Sequence, residues 1–160
     1  MRRVPTAELL DSDAGTPAEI EASLSDLTRI NRWFGGVSTA LALVQHVVHS
    51  NGAQSLSLLE VAAGAGGLPA IIRRKFAARR IDLRVTILDR APSHLTSASL
   101  PAVAGDALAL PFRDSSFDLV SSSLFVHQLS PEEVVAAVNE GLRVCRRAVL
   151  INDLVRDPVH

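Results

Sequence analysis

The sequence predicts an α/β domain: helices first, then a mostly parallel sheet of about five strands covered by helices on both faces. Three observations carry this. The first fifty residues keep a helical period. From Ser55 onward, short apolar runs alternate with helical stretches at the spacing of βαβ units. An acidic residue stands at the end of each of the first two runs, Glu60 and Asp89, and the first leads into a glycine-rich turn.

In chain order, Thr16-Pro17-Ala18-Glu19 forms a capping box with proline at the first helical position, where its missing N–H costs nothing. Ile20, Leu24, Leu27 and Asn31 continue a mostly apolar stripe, Trp33-Phe34 closes it, and Gly35-Gly36 breaks it. A second helix spans Ser38 to His49, with Leu41, Val44 and Val48 on one side and Ser50-Asn51-Gly52 ending it. Ser55–Val61 then reads as a buried parallel strand. Leu68 to Arg80 is a helix with Ile71, Ile72 and Phe76 facing inward, and Leu83–Asp89 a second strand rich in branched residues. Leu100–Gly105 and Phe117–Ser121 are expected as short third and fourth strands. Ser130-Pro131-Glu132-Glu133 caps a helix carrying Val134, Val135, Val138 and Leu142, and Ala148–Ile151 is the fifth strand. This divides the chain into a helical segment, 1–52, packed on an α/β domain, 53–160.

Composition narrows the function. The 160 residues fit one domain. Lys plus Arg number 16 against 17 Asp plus Glu, a net charge of −1, which argues against nucleic acid or an anionic membrane as partner. A single cysteine, Cys145, excludes an internal disulfide and a cysteine-rich zinc module. No apolar run reaches the ~18 residues of a membrane span, and the N-terminal stretch turns acidic before any apolar core, unlike a secretory signal. A cytoplasmic location is expected.

The informative stretch is Leu59-Glu60-Val61-Ala62-Ala63-Gly64-Ala65-Gly66-Gly67-Leu68-Pro69. Glycines after a strand let backbone N–H groups approach a ligand, and the helix N-terminus behind them favours an anionic group. Asp89 follows at about the ~20-residue offset at which an acid meets the ribose of a bound nucleoside in a Rossmann-like fold. A dinucleotide site needs a third glycine where this chain has Pro69, which disfavours a nucleotide-dependent oxidoreductase.

The segments Gly105-Asp106-Ala107, Leu110-Pro111-Phe112 and Ser116-Phe117-Asp118-Leu119-Val120, taken with Glu60, Gly64 and Gly66, resemble class I S-adenosylmethionine (SAM)-dependent methyltransferases. The likeness is to the small-molecule branch that includes the ubiquinone and menaquinone biosynthesis enzymes, and it covers roughly Leu56 to Leu154. Ala62 departs from it, standing where the pattern has its first glycine. The resemblance implies SAM as cofactor and methyl transfer to a small, apolar or phenolic acceptor. It implies that Glu60 serves the methionine amino group, that Gly64 and Gly66 pass under the methionine and ribose, and that Asp89 takes the ribose hydroxyls. Arg90 then flanks the adenine, Asp106 and the Ala107 N–H meet its polar edge, and Ser121 borders the sulfonium. Plainer readings stand beside two of these: Asp89 as a helix cap before Ala91-Pro92, and Asp106 as a turn residue.

A general base is needed only for a protonated acceptor. His127, just after the fourth strand, is the candidate; alternatively Phe125–Gln128 simply start the covering helix. Asn152-Asp153, at the end of the fifth strand, either orients a substrate or caps a loop. Trp33-Phe34 either forms an apolar lid or packs the N-terminal helix. His46 and His49 lack a third metal ligand and read as surface, as does the Arg73–Arg80 basic cluster, which carries no stacking aromatics. Cys145 is expected to be packed and inert.

Class I enzymes usually carry seven strands, ending in an antiparallel hairpin. Here His160 comes nine residues after Ile151, so the sequence reads as lacking that hairpin and leaving the fifth strand an exposed edge, open to pairing. Two further functions follow as alternatives: a non-catalytic nucleoside-binding module, or a subunit completed by a partner.

Overall fold

The computed structural model describes residues 15–33, 35–96 and 98–153. Phe34 and Leu154 lie outside them, as do the side chains of Leu27 and Asn31. The chain runs α1 (Pro17–Trp33), α2 (Gly36–Asn51), β1 (Ser55–Val61), α3 (Gly67–Ala77), β2 (Asp82–Asp89), β3 (Ala102–Ala104), β4 (Phe117–Ser123), α4 (Pro131–Val144) and β5 (Cys145–Asn152), with one-turn 3-10 segments at Pro92–Leu95 and Val126–Gln128.

Local chemistry sets these boundaries. The Thr16 N–H donates to Glu19 Oε2 (2.8 Å) and the Glu19 N–H to Thr16 Oγ1 (3.4 Å), the reciprocal cap expected from the sequence. Ser130 and Glu133 repeat it before α4. Helix α3 stops short of Arg80, which takes a φ of 60°, while the Ile81 N–H returns to the Phe76 carbonyl (3.1 Å). The stripe expected on α4 is out of phase. Val135 and Leu142 are 60% and 56% exposed, and Gly141 and Val144 are buried instead. A side chain at Gly141 would meet Val149 Cγ2 at 3.3 Å, so glycine lets α4 settle on β5 with that face inward. Trp33 is 82% exposed, so the packing role expected for it is not found.

The sheet order is β3-β2-β1-β4-β5 and every pairing is parallel. Strand alternation divides the core. Leu56, Leu58, Leu83, Val85, Ile87 and Leu119 face α2 and α3, where Val44, Val48, Ile72 and Phe76 pack on them. Leu59, Val61, Leu88 and Val120 face the opposite side, against Val144 of α4 and the loop residues Ala107 and Leu110. Strand β5 is the edge of the sheet among the described residues, and its Ile151 is 42% exposed. No described helix is long and apolar enough to cross a membrane.

Asp118 clasps β1 to β4. Its Oδ2 accepts from both the N–H and the hydroxyl of Ser57 (2.8 and 2.7 Å), and its own N–H donates to Ser57 Oγ (2.9 Å). Burial works against the charge of this carboxyl, but the Ser57 hydrogen bonds and the guanidinium groups of Arg147 and Arg146 outweigh it and lower its pKa. Asp118→Ala is expected to cost about 2–3 kcal/mol, since hydrogen bonds to a charged group contribute ~1.5–3 kcal/mol. A lowered carboxyl stabilises above its unfolded pKa, so the cost seen by urea unfolding should shrink as the pH falls through the acid range. A pH-independent cost would contradict this.

Candidate functional site

In open α/β sheets, ligands bind where the strand order reverses, beyond the carboxyl ends of the strands. Here β1 leads to β2 and β3 on one side and the chain then crosses to β4 and β5 on the other, so the switch lies between β1 and β4. Glu60, Asp89, Ser121, Asn152 and Asp153 all stand at that edge.

Glu60 faces the α2–α3 side of the sheet, continuing the alternation of Leu56 and Leu58, and lies directly opposite Ser121 in the parallel register. The Ser121 hydroxyl donates to Glu60 Oε2, and both residues are buried. Burial pushes the Glu60 carboxyl above its ordinary value of 4.5, and hydrogen bonds from Ser121 and Ser123 offset this only in part. A small cavity of about 10 Å³, room for about one water, is lined here by Val44, Glu60, Ser121, Ser122, Ser123 and Asn152. Asn152 Nδ2 also donates to the Gly36 carbonyl (3.2 Å), tying β5 to the start of α2. Because the folded protein holds the Glu60 proton longer than the unfolded chain does, this group's contribution to stability is greatest at low pH. It declines as pH rises above 4.5. Glu60→Gln is therefore expected to melt at a higher temperature than the parent chain, by a margin that widens from pH 4 to pH 8. A constant or reversed margin would show that Glu60 is not a buried acid of this kind.

Asp89, at the end of β2, already holds its surroundings together. Oδ2 accepts from the Gly64 N–H (2.8 Å), and Oδ1 accepts from the Ala91 N–H (3.0 Å) and meets His94 Nδ1 (3.1 Å). The helix-capping alternative is not met: the 3-10 turn at Pro92–Leu95 has Ala91 at its N-cap with no side-chain cap, and Asp89 instead holds the Ala91 N–H before the turn and fixes the glycine loop. The glycines have distinct tasks. Gly64, at φ +53°, leaves its open side to Leu24 of α1, whose Cδ2 lies 2.8 Å from where a Cβ would sit. Gly66, at φ +74°, lets the start of α3 pack close to Ile87, whose Cδ1 lies 3.0 Å from where a Cβ would sit. Ala62 sits at φ +55°, the left-handed region, which is why a glycine is the favoured residue at that position of the pattern.

The other expected residues are more peripheral. Arg90 is exposed. Asp106 is exposed and its Oδ1 accepts from the Leu108 N–H (2.8 Å), the Asx-turn chemistry of the plainer reading, while Ala107 is buried. Their loop is held from α4. Glu140 accepts from the Leu110 N–H (2.7 Å), and Arg143 donates to the carbonyls of Leu110 (3.0 Å) and Phe112 (2.8 Å).

His127 does not start the covering helix. It lies in the 3-10 turn Val126–Gln128, and α4 begins only at Pro131. Leu124, at φ 55°, turns the chain out of β4 and donates its N–H to the Asn152 carbonyl (2.9 Å). That brings the turn over the end of β5, where Asp153 accepts from the His127 N–H (3.0 Å) and pairs with its Nδ1 (2.7 Å). The sequence singled out both residues but not their pairing.

Two buried polar atoms have no hydrogen-bond partner among the described residues: His94 Nε2 and Ser122 Oγ. Leaving such an atom unsatisfied costs roughly 1–3 kcal/mol, so each calls for an explanation. Both lie at this edge of the sheet. No group of three or more candidate metal ligands occurs among the described residues, and His46, His49 and Arg73–Lys75 are exposed on their helices. Cys145 opens β5, half-buried, its thiol pushed up by burial.

The model of the methyltransferase domain family matches residues 59–151, from the middle of β1 to the end of β5. The chain belongs to this methyltransferase family. SAM is the cofactor that goes with it. A ubiquinone/menaquinone biosynthesis C-methyltransferase, UbiE, of Roseobacter denitrificans is 34% identical over 97 residues, 56% of this chain and 38% of that protein. The corresponding enzyme of a Ruegeria species is 32% identical over the same shares. The chain thus spans about two-fifths of the length of these relatives. Among solved structures, DesVI of Streptomyces venezuelae superposes with a TM-score of 0.63, covering 84% of this chain and 57% of that one at 22% identity. The [4+2]-cyclase SpnF superposes at 0.53, with 21% identity over 67% of this chain and 42% of that one. At those identities the structural likeness speaks for the fold alone.

Proposed function

We propose that this chain binds SAM across the ends of β1, β2 and β4 and transfers its methyl group to a small, apolar or phenolic acceptor. The observation that carries the reading is the gathering, at one sheet edge, of an acid–serine pair (Glu60–Ser121), a loop-fixing acid (Asp89) and a histidine–acid pair (His127–Asp153). The two unsatisfied buried atoms, His94 Nε2 and Ser122 Oγ, lie among them and fit a ligand rich in hydroxyl and amino groups. Glu60, backed by the Ser121 hydroxyl, would hold the methionine ammonium, whose charge favours the ionised carboxylate. Asp89 would accept from a ribose hydroxyl at the Oδ2 lone pair that the Gly64 N–H leaves open. Arg90, Asp106 and the Ala107 N–H would border the adenine, and Gly64 and Gly66 would shape the loop between.

The cofactor supplies an activated methyl group on a good leaving group, so the protein's part is chiefly alignment. An acceptor that arrives protonated needs a base, and His127 is the group for it. Asp153 bonds Nδ1 and so fixes the ring orientation. The balanced net charge and the likeness to quinone-pathway enzymes favour a small neutral acceptor over a nucleic acid.

The [4+2]-cyclase SpnF, a cyclase on the same fold, supplies the competing reading. Incubation with methyl-tritiated SAM and a panel of phenols, quinols and polyketides separates the two. Transfer of label to a phenolic or quinol acceptor is the expected result. Tight SAM binding with no label transferred to any acceptor would favour the non-methylating reading.

A further inference from the structure

His94 was not singled out by the sequence, yet it is a buried polar side chain beside the proposed site. It lies in the one-turn 3-10 segment after β2, and its side chain is 8% exposed. Nδ1 faces Asp89 Oδ1 at 3.1 Å, while Nε2 is buried with no hydrogen-bond partner among the described residues. An ionised carboxylate only accepts, so the Asp89 contact places the ring proton on Nδ1. In the neutral ring that leaves Nε2 a bare acceptor. A leucine would fill the same space without a polar atom to bury, so packing alone does not account for an imidazole here.

We propose that His94 is a second reader of the nucleoside, its Nε2 accepting a hydrogen bond from a ribose hydroxyl beside the one taken by Asp89. The class of ligand follows from the acceptor. Nε2 in this tautomer calls for an O–H or N–H donor and gives nothing to a phosphate or carbonyl. Asp89 and His94 therefore act as one unit, a carboxylate that fixes the tautomer and an imidazole that uses it. This inference rests on the SAM reading of the site, and its test separates the two.

Calorimetry of S-adenosylhomocysteine and its 2′-deoxy and 3′-deoxy analogues is run on the parent chain, His94→Leu and His94→Gln, with thermal melts of each ligand-free protein. The parent is expected to bind one deoxy analogue about tenfold or more weakly than S-adenosylhomocysteine. In His94→Leu, S-adenosylhomocysteine should weaken by a similar factor and the preference over that analogue should vanish. The thermal melts confirm that each variant folds, since His94→Leu removes the unsatisfied Nε2 but also the Nδ1 hydrogen bond to Asp89. His94→Gln keeps a side-chain acceptor and should retain part of the preference, and it decides the matter if the leucine variant does not fold. Parental affinity and parental discrimination in the folded variants would overturn the role of His94 while leaving the SAM site standing. A parent chain that binds none of the adenosyl ligands would overturn both.

Discussion

Asp89→Ala is expected to weaken SAM binding by roughly 10–10²-fold. The hydrogen bond from a ribose hydroxyl to the carboxylate contributes ~1.5–3 kcal/mol, and every ~1.4 kcal/mol is a tenfold change in affinity. The same substitution releases the Gly64 and Ala91 N–H groups, so the glycine loop loses its anchor as well. Asp89→Asn separates these effects. Its amide oxygen still accepts, and it should retain more affinity than the alanine variant. Calorimetry with SAM, beside a thermal melt to confirm folding, reads both variants. A folded Asp89→Ala protein with undiminished affinity would remove Asp89 from the cofactor site and leave it as the anchor of the Gly64 and Ala91 N–H groups.

The second large effect is on turnover. With a phenolic acceptor, His127→Ala is expected to lower kcat by roughly 10²–10⁴-fold, the usual contribution of a positioned general base. SAM affinity should stay within about twofold, because His127 belongs to the turn after β4 and bonds Asp153 at the end of β5. Asp153→Asn should fall between the parent and His127→Ala, since it leaves the imidazole present but unanchored. It should also move the neutral ring of His127 away from the Nδ1–H tautomer, which 15N NMR of the ring detects without any substrate. Unchanged turnover in His127→Ala would return the pair to a purely structural role, tying the turn to β5.

The sheet was legible in the sequence because its strands are short apolar runs separated by helices, and such runs have few other ways to be buried. Glu60 and Asp89 were legible for a related reason: an acid at the end of an apolar run is conspicuous. What escaped depends on register and helix phase. Ser121 gains its meaning from lying opposite Glu60 in the parallel pairing, and the pairing of Ser57 with Asp118 joins residues 61 apart in the chain. The phase of α4 differs from the expected one because Val135 and Leu142 look like core positions. Gly141, carrying no apolar side chain, marks the true buried face. His94 escaped because nothing in a Pro-Ser-His-Leu turn announces that the imidazole will be buried against an acid five residues earlier. Likewise, the neighbours that crowd the glycines, Ile87 beside Gly66 and Leu24 beside Gly64, come from separate elements that the glycine spacing does not reveal.

The most direct test of the SAM site is calorimetric titration of the purified chain with SAM, S-adenosylhomocysteine and NAD in parallel. Saturable one-to-one binding of both adenosyl-sulfur ligands, with NAD silent, is the expected result. A well-folded chain that binds neither, or that prefers NAD, would contradict the assignment of this sheet edge to SAM.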